Sequence, residues 1–273
     1  MIEGERMMVK RNRDGHVHTP FCRHGSQDVL EGYVEEAINN GIEELSFTEH
    51  FLLPEGIATK AFIEECSLLK EEVPIYIEAI RKLKVQYANK IKINIGFEVD
   101  YIENKEQEIK GWLNEFGELI EDSILSVHFV LYNDRYYAID CLDGFEALLK
   151  EIGSVEKIYE LYYKTLLKSI CCDLGQYKPR RIGHPTLIRI FNKKYPIDYN
   201  DQGLFETILE AIKDNHLSID FNSAGIRKTY CKEPYPSGEF LKNAIQKGIL
   251  LIPGSDAHEI KHMQYLSYLK DFM

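Results

Sequence analysis

The sequence predicts a parallel α/β fold, and of its two common forms a closed barrel rather than a doubly wound sheet. Short apolar runs rich in Ile, Val and Phe alternate with longer amphipathic stretches about seven times over 273 residues. That is the pattern of buried parallel strands joined by helices. The length available to each strand–helix unit suits a barrel. No G-x-G-x-x-G follows a candidate strand, so the signature of a dinucleotide fold is missing.

The elements follow in order. A weak strand leads into His16. "QDVLEGYVEEAINNG" then sets Val29, Leu30, Tyr33, Val34, Ala37 and Ile38 on one helical face and stops at Gly41, suited to the turn that ends helices. The next strands are "ELSFTE" (44–49), "IKINIGFE" (91–98), "SILSVHF" (123–129), "RRIGH" (180–184), "LSIDFN" (217–222) and "ILLIPGSD" (249–256). Helices are expected within 59–89, 104–120, 143–175, 202–215 and 238–247, the last ending before Gly248. No linker or low-complexity tract divides the chain. It reads as a single domain over 1–273, with 1–13 as a loosely ordered N-terminal extension.

A hydrophobic share of 44% and a charged share of 28% suit a folded core. No segment approaches the roughly 20 apolar residues of a membrane span. The basic start lacks the apolar stretch of a secretory signal. A net charge of −11 disfavours nucleic acid and anionic membranes as partners. Of the six cysteines none forms C-x-x-C and two are adjacent, Cys171 and Cys172, which reads as reduced thiols in the cytoplasm. Cys22 stands apart because it sits among histidines.

Polar residues cluster at the strand ends. His16-Val17-His18 close the first strand, Thr48-Glu49-His50 the second, Glu98 the third and His128 the fourth. His184 closes the fifth, Asn222 the sixth, and Asp256-Ala257-His258 the seventh. The strand C-termini of an α/β barrel open on one face, where active sites are built. With His24 in the loop after His18, seven histidines and two carboxylates converge there. A lone histidine at a strand end is commonly structural, and a lone Glu98 or Asp256 can cap a helix. Delivery of a ligand-type residue by nearly every strand points instead to metal. Imidazole suits zinc, iron and manganese, and carboxylate bridges ions. Nine ligands fit two or three ions. His216, at the opposite face, reads as structural.

"HEIKH" (258–262) matches H-E-x-x-H, a helical zinc-protease signature with Glu259 as base. It follows a strand directly, and the residues beyond it offer no third ligand except Asp271. His262 therefore reads as a solvated helix residue.

Taken together, "DGHVHTPFCRHG", "SFTEH", "GFEVDY", "SVHF", "RIGHPTLIR" and "PGSDAH" resemble, in order, the motifs of the PHP (polymerase and histidinol phosphatase) superfamily. "IDFNSAGIRK" with "EPYPS" further resembles its monofunctional histidinol-phosphate phosphatases. The resemblance implies a distorted (β/α)7, TIM-like barrel with three divalent ions (zinc, iron or manganese). It implies His16, His18, Glu98 and Asp256 on one ion, Glu98 bridging to a second held by His128 and His184, and a third on His24, His50 and His258. Asp220 stands where many relatives carry Glu, which touches only the support of a ligand.

The implied reaction is hydrolysis of L-histidinol phosphate to L-histidinol and phosphate, the penultimate stage of histidine biosynthesis, by a metal-bridging hydroxide attacking phosphorus. Three divalent ions against two ligand carboxylates leave a local charge of about +4, which reconciles an anionic substrate with an acidic chain. Asp256, Glu98 and His258 are the implied catalytic residues, with Asp256 a candidate proton donor to the leaving alkoxide. Arg227 and Arg189 are expected to hold phosphate bidentately, with Asn222 and Ser223 orienting substrate or ligands. Glu49 is expected to support the histidines. The other readings are a phosphoesterase acting on a different small ester or on nucleic-acid ends, and a non-catalytic metal- or phosphate-binding module. The open ligand set argues against the module, because structural metal sites are closed.

Overall fold

The computed structural model describes residues 12–273. Seven parallel strands form one sheet in the spatial order β1 (Arg13–Val17), β2 (Glu44–His50), β3 (Lys92–Asp100), β4 (Ile124–Ser126), β7 (Arg181–Ile182), β8 (Ser218–Asn222) and β9 (Leu251–Gly254). Between β4 and β7 in the chain, β5 (Phe129–Tyr132) and β6 (Arg135–Ala138) make a separate antiparallel hairpin. The sheet edges meet through a parallel bridge between Val17 and Ala257. His18 N–H donates to Ala257 O at 3.0 Å and Asp256 N–H to His16 O at 2.7 Å. The sheet is thus a nearly closed seven-stranded barrel, as expected.

The helices are α1 (Leu30–Asn39), α2 (Lys60–Cys66), α3 (Val73–Gln86), α4 (Glu106–Phe116), α5 (Leu142–Ile152), α6 (Val155–Cys171), α7 (Gln202–Asp214), α8 (Ala224–Arg227) and α9 (Gly238–Gln246). In α1, Tyr33, Val34 and Ala37 are buried as the apolar stripe predicts, while Val29 lies before the helix and is exposed. Gly41, at φ +72°, takes the left-handed turn that follows. The stretch 143–175 divides into α5 and α6 at Gly153 (φ +75°), and Ser154 caps α6 by accepting from Lys157 N–H at 3.4 Å.

Two expectations change. The fourth strand stops at Ser126, because the Asp100 carboxylate accepts from His128 N–H at 3.2 Å and turns the chain out of the sheet. The β5–β6 hairpin was not foreseen, although Asn133-Asp134 at φ +48° and +58°, between apolar runs, is a readable two-residue turn. Of the expected N-terminal extension, residues 1–11 lie outside the described residues, and Arg13 opens β1.

The N-terminal end of the barrel is plugged by charge. Arg181 is 2% exposed; its Nη2 donates to Gly15 O at 2.7 Å and to Asp122 Oδ2 at 2.9 Å. Arg13 Nη2 reaches the same carboxylate oxygen at 2.5 Å. A Cβ at Gly15 would lie 2.2 Å from Arg181 Nη1, so only glycine lets the guanidinium fill this space. With the floor closed, access is left to the opposite end.

Candidate metal centre

The C-terminal ends of the strands surround a cleft of about 270 Å³, lined among others by His24, His50, Glu98, His128, His184 and His258. His16 and His18 lie fully buried beneath it. Glu98, 1% exposed, is the hub. Its Oε2 lies 3.4 Å from His16 Nε2, 3.4 Å from His18 Nε2 and 3.3 Å from His50 Nδ1. Its Oε1 lies 2.8 Å from His184 Nε2 and 3.7 Å from His128 Nε2, and accepts from Ser126 Oγ at 2.6 Å. Asp256 Oδ1 sits 3.3 Å from His18 Nε2 and 3.5 Å from His258 Nδ1.

Three groups have ligand atoms within 4.8 Å of one another: His16, His18 and Asp256; Glu98, His128 and His184; and His18, Cys22, His50 and His258. His24 is beside the third group but outside it. Its ring centroid lies 5.1 Å from that of His50 and 4.9 Å from that of His258, and its Nδ1 is 3.1 Å from Glu65 O. A larger pocket of about 510 Å³ lies between the start of β1 and the C-terminal 3-10 segment (Ile260–Phe272), and none of the three groups lines it.

The hydrogen bonds behind the rings show what the centre is built for. His16 Nδ1 meets Asp220 Oδ2 at 2.8 Å, His18 Nδ1 meets Glu49 Oε1 at 3.2 Å, and His128 Nδ1 meets Asp100 Oδ1 at 2.9 Å. A carboxylate only accepts, so each Nδ1 carries the proton and each Nε2 presents a lone pair. The Nε2 atoms of His16, His18 and His50 are buried without a hydrogen-bond partner. Lone pairs gathered around shared carboxylates, with the rings of His16, His18 and His128 anchored from behind, fit a divalent cation.

Without a cation between them, the same carboxylates draw protons onto the rings in its place. Burial opposes charge on His16, yet Asp256, Asp220 and Glu98 push it up to about 10. His18 and His128 are likewise raised against burial, His18 chiefly by the Asp256 and Glu49 carboxylates and His128 by the charges of Asp100 and Glu98. His50 and His258 are driven well below the usual range by burial and by the charge on His18, and so stay neutral. The buried acids need positive charge, and two imidazoles stand neutral beside them.

Residues expected on the substrate side divide. Arg227 lines the cleft, its Nη1 donating to Ser255 O at 2.9 Å and its Nη2 to Asp256 O at 2.5 Å. Arg189 does not line it. Its Nε and Nη2 are taken by Glu233, the latter at 3.2 Å, so this expectation is corrected: its fork already holds a carboxylate. Asn222 and Ser223 are fully buried and do not line the cleft, which leaves orienting ligands, not substrate, of the two roles expected of them. Asn222 Nδ2 instead donates to Asp220 Oδ2 at 2.9 Å and Asp256 Oδ2 at 3.1 Å, fixing the ligand-type carboxylate. Against the pull of burial, His16, His18 and His258 hold the Asp256 carboxyl well below the usual range.

Glu259 is extended (φ −148°) and the final 3-10 segment starts after it, so His258 and His262 share no helical face and the protease geometry is absent. His262 is not solvated either: its ring lines the cleft, and burial together with Arg227 lowers it to about 4. Asp100 escaped the sequence reading, though the two-residue period of β3 places it beside Glu98. Asp140, at the cleft mouth, escaped because it follows the unforeseen hairpin.

A parallel barrel with an imidazole- and carboxylate-rich C-terminal mouth defines a metal-dependent hydrolase of the PHP class, and the chain belongs to the PHP domain family, whose model matches residues 14–224. It is 41% identical over 258 residues to the histidinol-phosphatase of Bacillus subtilis, covering 93% of this chain and 96% of that one. A Listeria monocytogenes crystal structure, a candidate histidinol phosphatase, superposes with a TM-score of 0.88 at 32% identity, over 92% of this chain and 97% of that one. The histidinol phosphate phosphatase of Lactococcus lactis, crystallised with zinc, L-histidinol and phosphate, shares the fold (TM-score 0.67, 20% identity, 96% and 93% coverage).

Proposed function

We propose that the protein is a metal-dependent phosphatase that hydrolyses L-histidinol phosphate to L-histidinol and phosphate. The observation that carries this reading is the set of buried imidazole lone pairs facing Glu98 and Asp256 beside the Arg227 guanidinium. The curated relative of nearly equal length supports it, as does the ligand set of the Lactococcus structure.

Three divalent ions, zinc, iron or manganese, account for the three groups. His16, His18, Glu98 and Asp256 would hold one; Glu98, His128 and His184 a second; and His50 and His258, with His24 alongside, the third. Such ions supply Lewis acidity and activated water at neutral pH. The chain supplies the rest. Asp220, Glu49 and Asp100 keep the rings oriented, and Asn222 fixes Asp256. Two carbonyl contacts leave Arg227 with further N–H donors for a phosphate oxygen. Asp140 is a carboxylate at the mouth without a protein ion pair among the described residues, and it complements a substrate that carries an amine as well as a phosphate.

The volume of the cleft suits a small phosphomonoester better than a nucleic-acid strand. The six free thiols fit a reducing cytoplasm, and no described helix is long and apolar enough to cross a membrane. The test is phosphate release from L-histidinol phosphate, p-nitrophenyl phosphate and single-stranded DNA, after chelation and readdition of manganese, zinc or iron. Metal-dependent turnover with preference for histidinol phosphate is expected. A folded sample inactive on it with every metal would refute the reading.

A further inference from the structure

The cysteine set among the histidines is part of the centre's geometry. Cys22 is 4% exposed, and its Sγ belongs to the group whose ligand atoms, with those of His18, His50 and His258, lie within 4.8 Å of one another. His24 lies outside that group. The loop that carries the sulfur is fixed by its backbone. Cys22 N–H donates to Thr19 O at 3.0 Å, Gly25 N–H to Cys22 O at 3.1 Å, and Ser26 N–H to His258 O at 2.8 Å. The loop is therefore bonded both to itself and to the residue that carries a neighbouring imidazole. A Cβ at Gly25 would crowd His258 O at 3.1 Å, so glycine allows this approach. Independently, the fully buried His18 ring in the same group has an Nε2 without a hydrogen-bond partner, and so does His50.

We propose that Cys22 is a metal ligand, its thiolate sulfur joining His50 and His258 on one ion of the centre. The inference rests on the metal-centre reading above. A tetrahedral ion with bonds of about 2.3 Å to sulfur and about 2.1 Å to nitrogen sets N···S separations near 3.6 Å, inside the span observed. On coordination the S–H bond breaks, its proton leaves to solvent and a sulfur lone pair goes to the ion; nothing is oxidised or reduced. A thiolate here favours zinc, ferrous iron or cobalt over manganese or magnesium.

The test is absorption spectroscopy of the full chain loaded with cobalt(II). The wild type is expected to show a near-ultraviolet sulfur-to-cobalt charge-transfer band above the visible ligand-field bands. Cys22→Ser is expected to lose the first and keep the second. Ligand-field bands with no charge-transfer band, or a charge-transfer band that survives Cys22→Ser, would overturn the proposal. The absence of both band types would overturn the metal-centre reading instead. Zinc X-ray absorption on the wild type needs no variant: a sulfur scatterer at about 2.3 Å is expected, and a zinc shell of nitrogen and oxygen alone refutes Cys22 as a ligand.

Discussion

Replacing Asp220 by Asn should loosen the ion at His16 while leaving the barrel folded. Asp220 and His16 are both fully buried and meet at 2.8 Å, and the same Oδ2 accepts from Asn222 Nδ2 at 2.9 Å. An amide keeps the shape and one acceptor oxygen but removes the charge that makes His16 Nε2 basic. Loss of such a partner costs about 10–100-fold in metal affinity or activity, or about 1.4–2.8 kcal/mol. Asp220→Ala goes further, since His16 Nδ1 and Asn222 Nδ2 then lose a buried acceptor, at about 1–3 kcal/mol of folding stability. The assay is metal content after dialysis against graded chelator, with thermal melts of the metal-free proteins in parallel. Asp220→Asn should release metal at lower chelator with a near-native melt, and excess metal should restore turnover. Metal retention equal to wild type in both variants would show that the carboxylate behind the ring does not tune the ligand.

Further outcomes follow from the same contacts. Arg227→Ala should lower kcat/KM by about 10–150-fold, the value of a charge-assisted hydrogen bond of 1.5–3 kcal/mol. Arg189→Ala should leave kcat/KM unchanged and lower the melting temperature, because its partner is Glu233; steady-state kinetics beside thermal melts separate the two. Asp140→Asn should raise KM for L-histidinol phosphate by up to about fivefold, as befits an exposed charge pair, and leave p-nitrophenyl phosphate hydrolysis untouched. Asp122→Ala removes the carboxylate that Arg13 and Arg181 share, leaving Arg13 to Glu44 and Arg181 without an acidic partner among the described residues, and should cost about 3–5 kcal/mol in denaturant unfolding. Although burial alone would raise it, Arg181 and Arg13 hold the Asp122 carboxyl below its unperturbed 3.8. Its contribution is therefore complete above about pH 4 and is lost as the pH falls through the depressed folded value. A stability difference between wild type and Asp122→Ala that persists undiminished at strongly acidic pH would refute that account.

Much of this protein can be read along the chain, because barrel strands are short, apolar and locally patterned, and their polar ends come next in sequence. His16, His18, His50, Glu98, His128, His184, Asp256 and His258 each follow or end such a run, so their convergence follows once the strands lie parallel. Asp100 was within reach through strand periodicity, and the β5–β6 hairpin through its Asn133-Asp134 turn. The fate of the remaining polar residues was not local. Arg189 and Arg227 look alike in sequence, but one meets Glu233 across 44 positions and the other the carbonyls of residues 255 and 256. Asn222 ends a strand as a ligand would, yet its amide turns inward to Asp220 and Asp256. Cys22 and His24 both border one corner of the centre, and only the fold sets the sulfur within ligand range of His50 and His258 while the His24 ring stays outside that group. Periodicity and residue chemistry determined the barrel and its ligand types. Side-chain direction and the choice among distant partners depend on contacts between residues far apart in sequence, and only the closed barrel decided them.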